Sequence, residues 1–162
     1  MTGLTIMRIV LSIGSSVKRG IAYMECISYI SHIIFIAVLI IATIKDIASL
    51  YVPLFLSIIG YSTRIIELVI VTPHNIPFYT GITMISFIIL LLVAYFGNLG
   101  GADCLLGSLC VFYLGIQGLW AIIISFVLAI PYAAWMKIKN NEHEYPFVPY
   151  IVVGVILSHI II

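Results

Sequence analysis

The sequence predicts an all-α protein, a polytopic membrane helix bundle of about six transmembrane helices, and three observations predict it. Of its 162 residues 64% are apolar and 8% charged, against roughly 25% charged in an average soluble domain. Mean hydropathy is +1.29. The few charges and the Pro/Gly clusters cut the chain into apolar stretches close to the ~20 residues that cross a bilayer as a helix. Seven Lys+Arg and six Asp+Glu cannot cover a soluble domain of this size, which excludes a small soluble enzyme. A net charge of +1 excludes a nucleic-acid partner, because a phosphate-binding face needs many clustered Lys and Arg. The partner that composition does imply is the lipid bilayer.

Residues 1–23 stand apart as an N-terminal segment. Arg8, Lys18 and Arg19 flank the short apolar run 9–13 in the manner of a signal peptide, but without its long apolar stretch and small-residue cleavage site. A start at Met24 would remove the segment without cost to the membrane domain, 24–162. The first span there runs over about 28–44 and stops at Lys45 and Asp46. The second, about 50–71, carries Arg64 and Glu67, which can pair at i and i+3 on one helix face. Pro73 and Pro77 then forbid a continuous helix and make 72–77 a turn. A third span over about 78–96 ends in the glycine-rich loop 97–101, which delivers Asp103. Residues 102–135 are too many for one span at about 1.5 Å per residue, so a break is expected near Gly115-Ile116-Gln117-Gly118, giving two shorter helices. Lys137, Lys139, Glu142, His143 and Glu144 make a polar loop after Tyr132 and Trp135, and 147–162 is a last, short span.

Six spans put both termini on one face and Asp46, Asp103 and Lys137 on the other. The basic residues Lys45, Lys137 and Lys139 on the aspartate side are balanced by Arg8, Lys18 and Arg19. With a start at Met24 that balance goes, and the positive-inside rule makes the aspartate face cytoplasmic. Cys26, Cys104 and Cys110 have neither metal-ligand spacing nor an even count, and read as thiols in apolar surroundings. His32 and His159 read as hydrogen-bonded between helices, His74 and His143 as loop residues. No metal set and no cofactor is expected. Gly60, Gly81, Gly115 and Gly118 read as sites of close helix packing.

An ionised side chain near the bilayer needs a reason, since Asp at a helix centre costs about 2.5–3.5 kcal/mol. The plain reason is capping: Asp46 at the helix end before the second span, Asp103 on the helix after Gly100-Gly101. The chemical reason is a pair. Two carboxylates brought together share a proton, so that one takes a proton from an attacking water while the other donates to the scissile carbonyl oxygen and then to the leaving amine. Glycines before Asp103 let an extended substrate backbone approach it. Such a pair would give activity a maximum between its two apparent titration steps.

The flanking residues carry a resemblance. Asp46-Ile47-Ala48-Ser49-Leu50-Tyr51-Val52-Pro53 resembles the D-x6-P element after the first span of type IV prepilin peptidases, and Gly100-Gly101-Ala102-Asp103 resembles the G-x-G-D element of these membrane aspartyl proteases, in the form seen in archaeal preflagellin peptidases. Tyr145-Pro146-Phe147-Val148-Pro149-Tyr150 is similar to the family's P-F-x-P stretch before the last span. The three elements stand in the family's order and cover about 24–162. The resemblance implies a multi-pass cell-membrane aspartic endopeptidase that removes the leader of type IV pilin-like or archaellin precursors at the cytoplasmic face. It needs no metal. Asp46 and Asp103 would be catalytic, and Pro53, Gly100, Gly101 and Ala102 would shape the approach of substrate. Larger relatives carry paired C-x-x-C motifs and also methylate the product; without those motifs, cleavage alone is expected. Where the family commonly has basic or polar residues near the aspartates, this chain has Ala48, Leu50, Leu54 and Leu105. The alternative readings of the same aspartates are a non-catalytic membrane assembly subunit and a small ion or proton transporter.

Overall fold

In an apolar medium the backbone has only itself to hydrogen-bond, so apolar segments between glycines and prolines become helices. The computed structural model describes the backbone of residues 2–49, 51–97, 100–138 and 146–161, with the side chains of 2–19, 96–97, 133–134 and 136–138 left outside the description. Arg8, Lys18, Arg19 and Lys137 therefore have no described side chain, and Leu50, Asn98, Leu99 and 139–145, including Lys139, Glu142, His143, Glu144 and Tyr145, lie wholly outside the described residues. Among the described residues there are six α-helices and no strand: α1 (Thr2–Ser49), α2 (Leu54–Val71), α3 (Ile76–Gly97), α4 (Gly101–Leu114), α5 (Ile116–Ile138) and α6 (Val148–Ile161). A 3-10 turn, Pro73–Asn75, fills the expected break between α2 and α3. The α1 backbone runs through residues 23 and 24 without interruption.

The helices form an all-α bundle, and they differ in length. Gly20–Ser49, Leu54–Val71 and Pro73–Tyr95 are long and apolar enough to cross a bilayer. Gly101–Leu114, Ile116–Tyr132 and Val148–Ile161 are apolar but shorter; a helix of 14 residues covers about 21 Å, less than the ~30 Å hydrocarbon core. Among the described residues, then, three helices meet the requirement for a crossing by length and composition, and the backbone of α5, at 23 residues, is also long enough to cross. The bundle is nevertheless built for lipid. Ile33, Ile36, Ile40, Ile44 and Ile47 face outward along α1, while Ser31, Ser57, Ser86, Ser108, Ser125 and Ser158 are buried. Apolar outside and small polar inside is the pattern of a membrane protein.

Helix α4 sits at the centre, buried continuously from Leu106 to Tyr113. Its end is a turn of one residue, Gly115, at φ 60°, a conformation that favours glycine. The tight hairpin lays Gly118 against α4, where a Cβ would stand 2.6 Å from Cys110 O and Val111 Cα. Gly60 is likewise pressed on Leu109. Gly81 is not: a Cβ there would meet nothing within 4 Å, so close packing is not its role. The tightest approach is one that local spacing does not reveal. Ala121, Ser125 and Ala129 form a buried small-residue stripe on α5, and a Cβ on Gly154 of α6 would collide with Ser125 Oγ and Ala121 O. Gly154→Leu is therefore expected to push α6 off α5 and lower stability by about 1–3 kcal/mol. Gly81→Ala should be neutral or slightly stabilising. Thermal unfolding of both variants in detergent checks the contrast.

Candidate functional site

The buried stripe of α1 recurs at Ser31, Phe35, Val38, Leu39, Ala42 and Asp46, the three-and-four spacing of one helix face. Asp46 is the last member of that stripe, which is why a charged residue is 5% exposed. Its partner is 102 positions away: the Val148 amide donates to Asp46 Oδ2 at 2.9 Å. Val148 is the first residue of α6, Pro149 has no N–H to offer, and the Tyr150 amide turns back to Phe147 O. Asp46 thus caps α6 from another helix, with negative charge at the positive end of the helix dipole. It does not cap α2, whose N-cap residue is Pro53.

Asp103 lies in the first turn of α4, three residues after its N-cap, Gly100. The Gly100 carbonyl accepts from the Asp103 and Cys104 amides. A Cβ on Gly100 would stand 3.1 Å from Asp103 Oδ2, so the missing side chain makes room for the carboxylate. A Cβ on Gly101 would meet nothing within 4 Å. Asp103 itself is half-buried. It is a first-turn acid rather than the N-cap residue.

The relation between these residues follows from helix register. Helices α2 and α4 run parallel, because Tyr61 bonds Ser108, Arg64 bonds Phe112 and Thr63 bonds Tyr113, at separations of 47, 48 and 50 residues. Continued towards the helix starts, that register sets Pro53 level with residues 100–103. Ala42, Val52, Leu106, Phe147 and Val148 share one packed cluster, with Ala102 against it. The structure therefore gathers Asp46, Pro53, Gly100, Gly101, Ala102, Asp103 and the Phe147–Pro149 stretch at one end of the bundle. The carboxylate of Asp46 is bonded to the start of α6, and apolar side chains of α1, α4 and α6 pack in one cluster at this end.

A second polar centre lies deeper. Arg64 and Glu67 are 5% and 4% exposed and pair at 2.8 Å, as their spacing suggested. What the spacing could not show is where Arg64 reaches: its Nε and Nη2 donate to the Phe112 and Tyr113 carbonyls, each at 3.2 Å. These are carbonyls left open where α4 ends at Gly115. The guanidinium also stands 4.9 Å from the Tyr79 ring and 5.2 Å from that of Tyr113, within cation–π range. Ser28 of α1 donates to Glu67 Oε1 at 2.8 Å.

The histidines differ from expectation: His32 and His159 each bond a carbonyl four residues back in their own helix, Ser28 O and Val155 O, and His32 also meets the Tyr113 ring edge-on. Cys104 and Cys110 are buried and Cys26 exposed, all as free thiols. Among the described residues no three His, Cys, Asp or Glu side chains converge as a metal site would require. Between α2 and α3 an apolar groove of about 310 Å³ opens sideways, floored by Leu105 and Phe112 of α4.

No protein-family model, curated protein or solved structure matches this chain. The reading of the site therefore rests on its residues. If Asp46 holds α6, Asp46→Ala should leave the Val148 amide unpaired at a cost of about 1–3 kcal/mol, and Asp46→Asn, which keeps an acceptor, should cost less. Unfolding midpoints of the two variants in the same detergent test this; equal losses would remove the cap.

Proposed function

We propose that the chain is a membrane aspartic endopeptidase that removes the leader of type IV pilin-like or archaellin precursors, with Asp46 and Asp103 as its acid–base pair. One observation carries the reading: the D-x6-P, G-G-A-D and P-F-V-P elements, far apart in sequence, come to the same end of the bundle. In this reading the protein crosses the cell membrane several times and turns that end to the cytoplasm, where a precursor's leader would be met.

The chemistry asked of the pair is that of other paired carboxylates. The ionised member takes a proton from water as its oxygen attacks the scissile carbonyl carbon. The protonated member donates a hydrogen bond to the carbonyl oxygen and then a proton to the amine nitrogen as the C–N bond breaks. The Val148 amide would orient the Asp46 carboxylate, as fixed N–H donors do in preorganised sites. Gly100 and Gly101 leave the backbone before Asp103 open to an extended peptide.

A second reading has its own support. Asp46 is nearly buried and already occupied as a cap, and Ala48, Leu50, Leu54 and Leu105 stand where the family commonly has basic or polar residues; a non-catalytic assembly subunit of the same fold would look alike. Purified protein in lipid, mixed with archaellin and pilin-like precursors beside Asp46→Asn and Asp103→Asn, separates the two. The peptidase reading expects cleavage at the leader boundary, lost at least about a hundredfold in each variant, with a rate that rises and then falls with pH. Cleavage that persists in Asp103→Asn would overturn the assignment of the pair, and no cleavage by a folded protein would favour the assembly subunit.

A further inference from the structure

We infer that Arg64 and Glu67 are positioning residues that set the spacing of the two aspartates, an inference that rests on the peptidase reading above. Asp46 is carried by α1 and Asp103 by α4, and these two helices touch each other far less than each touches α2. The ionic node on α2 ties them together, beside their direct contacts at Tyr113 and the packing of α6 on both. Glu67 takes the Ser28 hydroxyl of α1 at 2.8 Å. Arg64 takes the last carbonyls of α4, Phe112 and Tyr113. The Tyr113 hydroxyl of α4 closes the circuit: it bonds Ser31 of α1 at 3.3 Å, Thr63 of α2 at 2.7 Å and the Gly60 carbonyl at 3.1 Å. Its ring stacks on Phe35 of α1 with centroids 4.2 Å apart.

Asp103 is ten residues from Tyr113 on one unbroken helix, about 15 Å along a rigid rod. A shift or tilt of α4 at the node is therefore carried to its other end. The same holds for α1 between Ser31 and Asp46. Stability alone does not account for a buried ion pair, since well-packed apolar residues of similar volume commonly serve as well or better. What the pair supplies and leucines would not is direction: bonds from one point to two other helices, at fixed angles.

The test follows from that difference. Arg64→Met/Glu67→Leu should keep a folded helical bundle, at a melting temperature lowered because the Phe112 and Tyr113 carbonyls lose their donor, and in that folded protein lower kcat by about a hundredfold with KM within about twofold. Ser28→Ala/Ser31→Ala removes the hydroxyl links to α1 with little risk to folding, and should lower kcat in the same direction. Independently of activity, pulsed spin-label distances between Ile47→Cys on α1 and Leu105→Cys on α4, in a Cys26→Ser background, should shift or broaden in both double variants. Unchanged distances in both would overturn the inference. So would a raised KM with unchanged kcat, which would make the pair a binding element. Should wild-type protein cleave no precursor, the peptidase reading fails, while the distances still decide whether the node sets the spacing of Asp46 and Asp103.

Discussion

Every helix ends with unpaired amides at its start and unpaired carbonyls at its finish, and in an apolar surrounding water is not there to take them. The architecture of this protein turns on how two such ends are met. The start of α6 is met by the Asp46 carboxylate of α1, and the finish of α4 by the Arg64 guanidinium of α2. Each charge has the sign the helix dipole favours at that end. The two could not be exchanged: a carboxylate has no proton for the Phe112 and Tyr113 carbonyls, and a guanidinium has no lone pair for the Val148 amide.

Because both caps are supplied by other helices, they are also the ties between helices. The central helix α4 is short, closed by glycines at both ends, and so depends on neighbours for its ends as well as its flanks. Arg64 holds one end, Glu67 relays that hold to Ser28, and the parallel register of α2 with α4 brings Pro53 beside the start of α4. At that same end, by the start of α4, the α5–α6 pair, closed tightly over Gly154, presents Phe147 and Val148 to Asp46. The site end and the ionic node are thus two parts of one arrangement of helices rather than separate features.

Much of this was legible along the chain. Composition and the placing of Pro73, Pro77, Gly100 and Gly115 marked the helices, because those residues act on the local backbone. The Arg64–Glu67 pair on α2 follows from its spacing alone, while its burial in one stripe with Ser57 and Gly60 does not. Apolar residues signal burial in protein as well as in lipid, and α4, buried from Leu106 to Tyr113, is apolar for the first reason. The partner of Asp46 was illegible, since nothing local to residue 46 points to an amide at residue 148. The only hint was Pro149, which strips α6 of one donor and leaves the Val148 amide as the one in need. Gly154 was illegible for a similar cause: its meaning lies in Ser125 and Ala121 of another helix.

Asp46 therefore has a structural occupation, and the question is whether that occupation is enough. A hydrogen bond to a charged group contributes about 1.5–3 kcal/mol, close to the roughly 2.5–3.5 kcal/mol that Asp costs at a helix centre. The cap alone nearly offsets the charge. Yet asparagine caps helices about as well as aspartate, and a neutral amide is cheaper to place in an apolar setting than a carboxylate. Against that saving stand the helix dipole, which favours the charged form at this end, and the stronger bond an amide makes to a charged acceptor. What the aspartate adds is a charge and a site for a proton, at the end of the bundle where a second carboxylate, Asp103, is given room by Gly100. Capping accounts for the place of Asp46 in the fold; the acid–base role proposed for it would account for its being an acid.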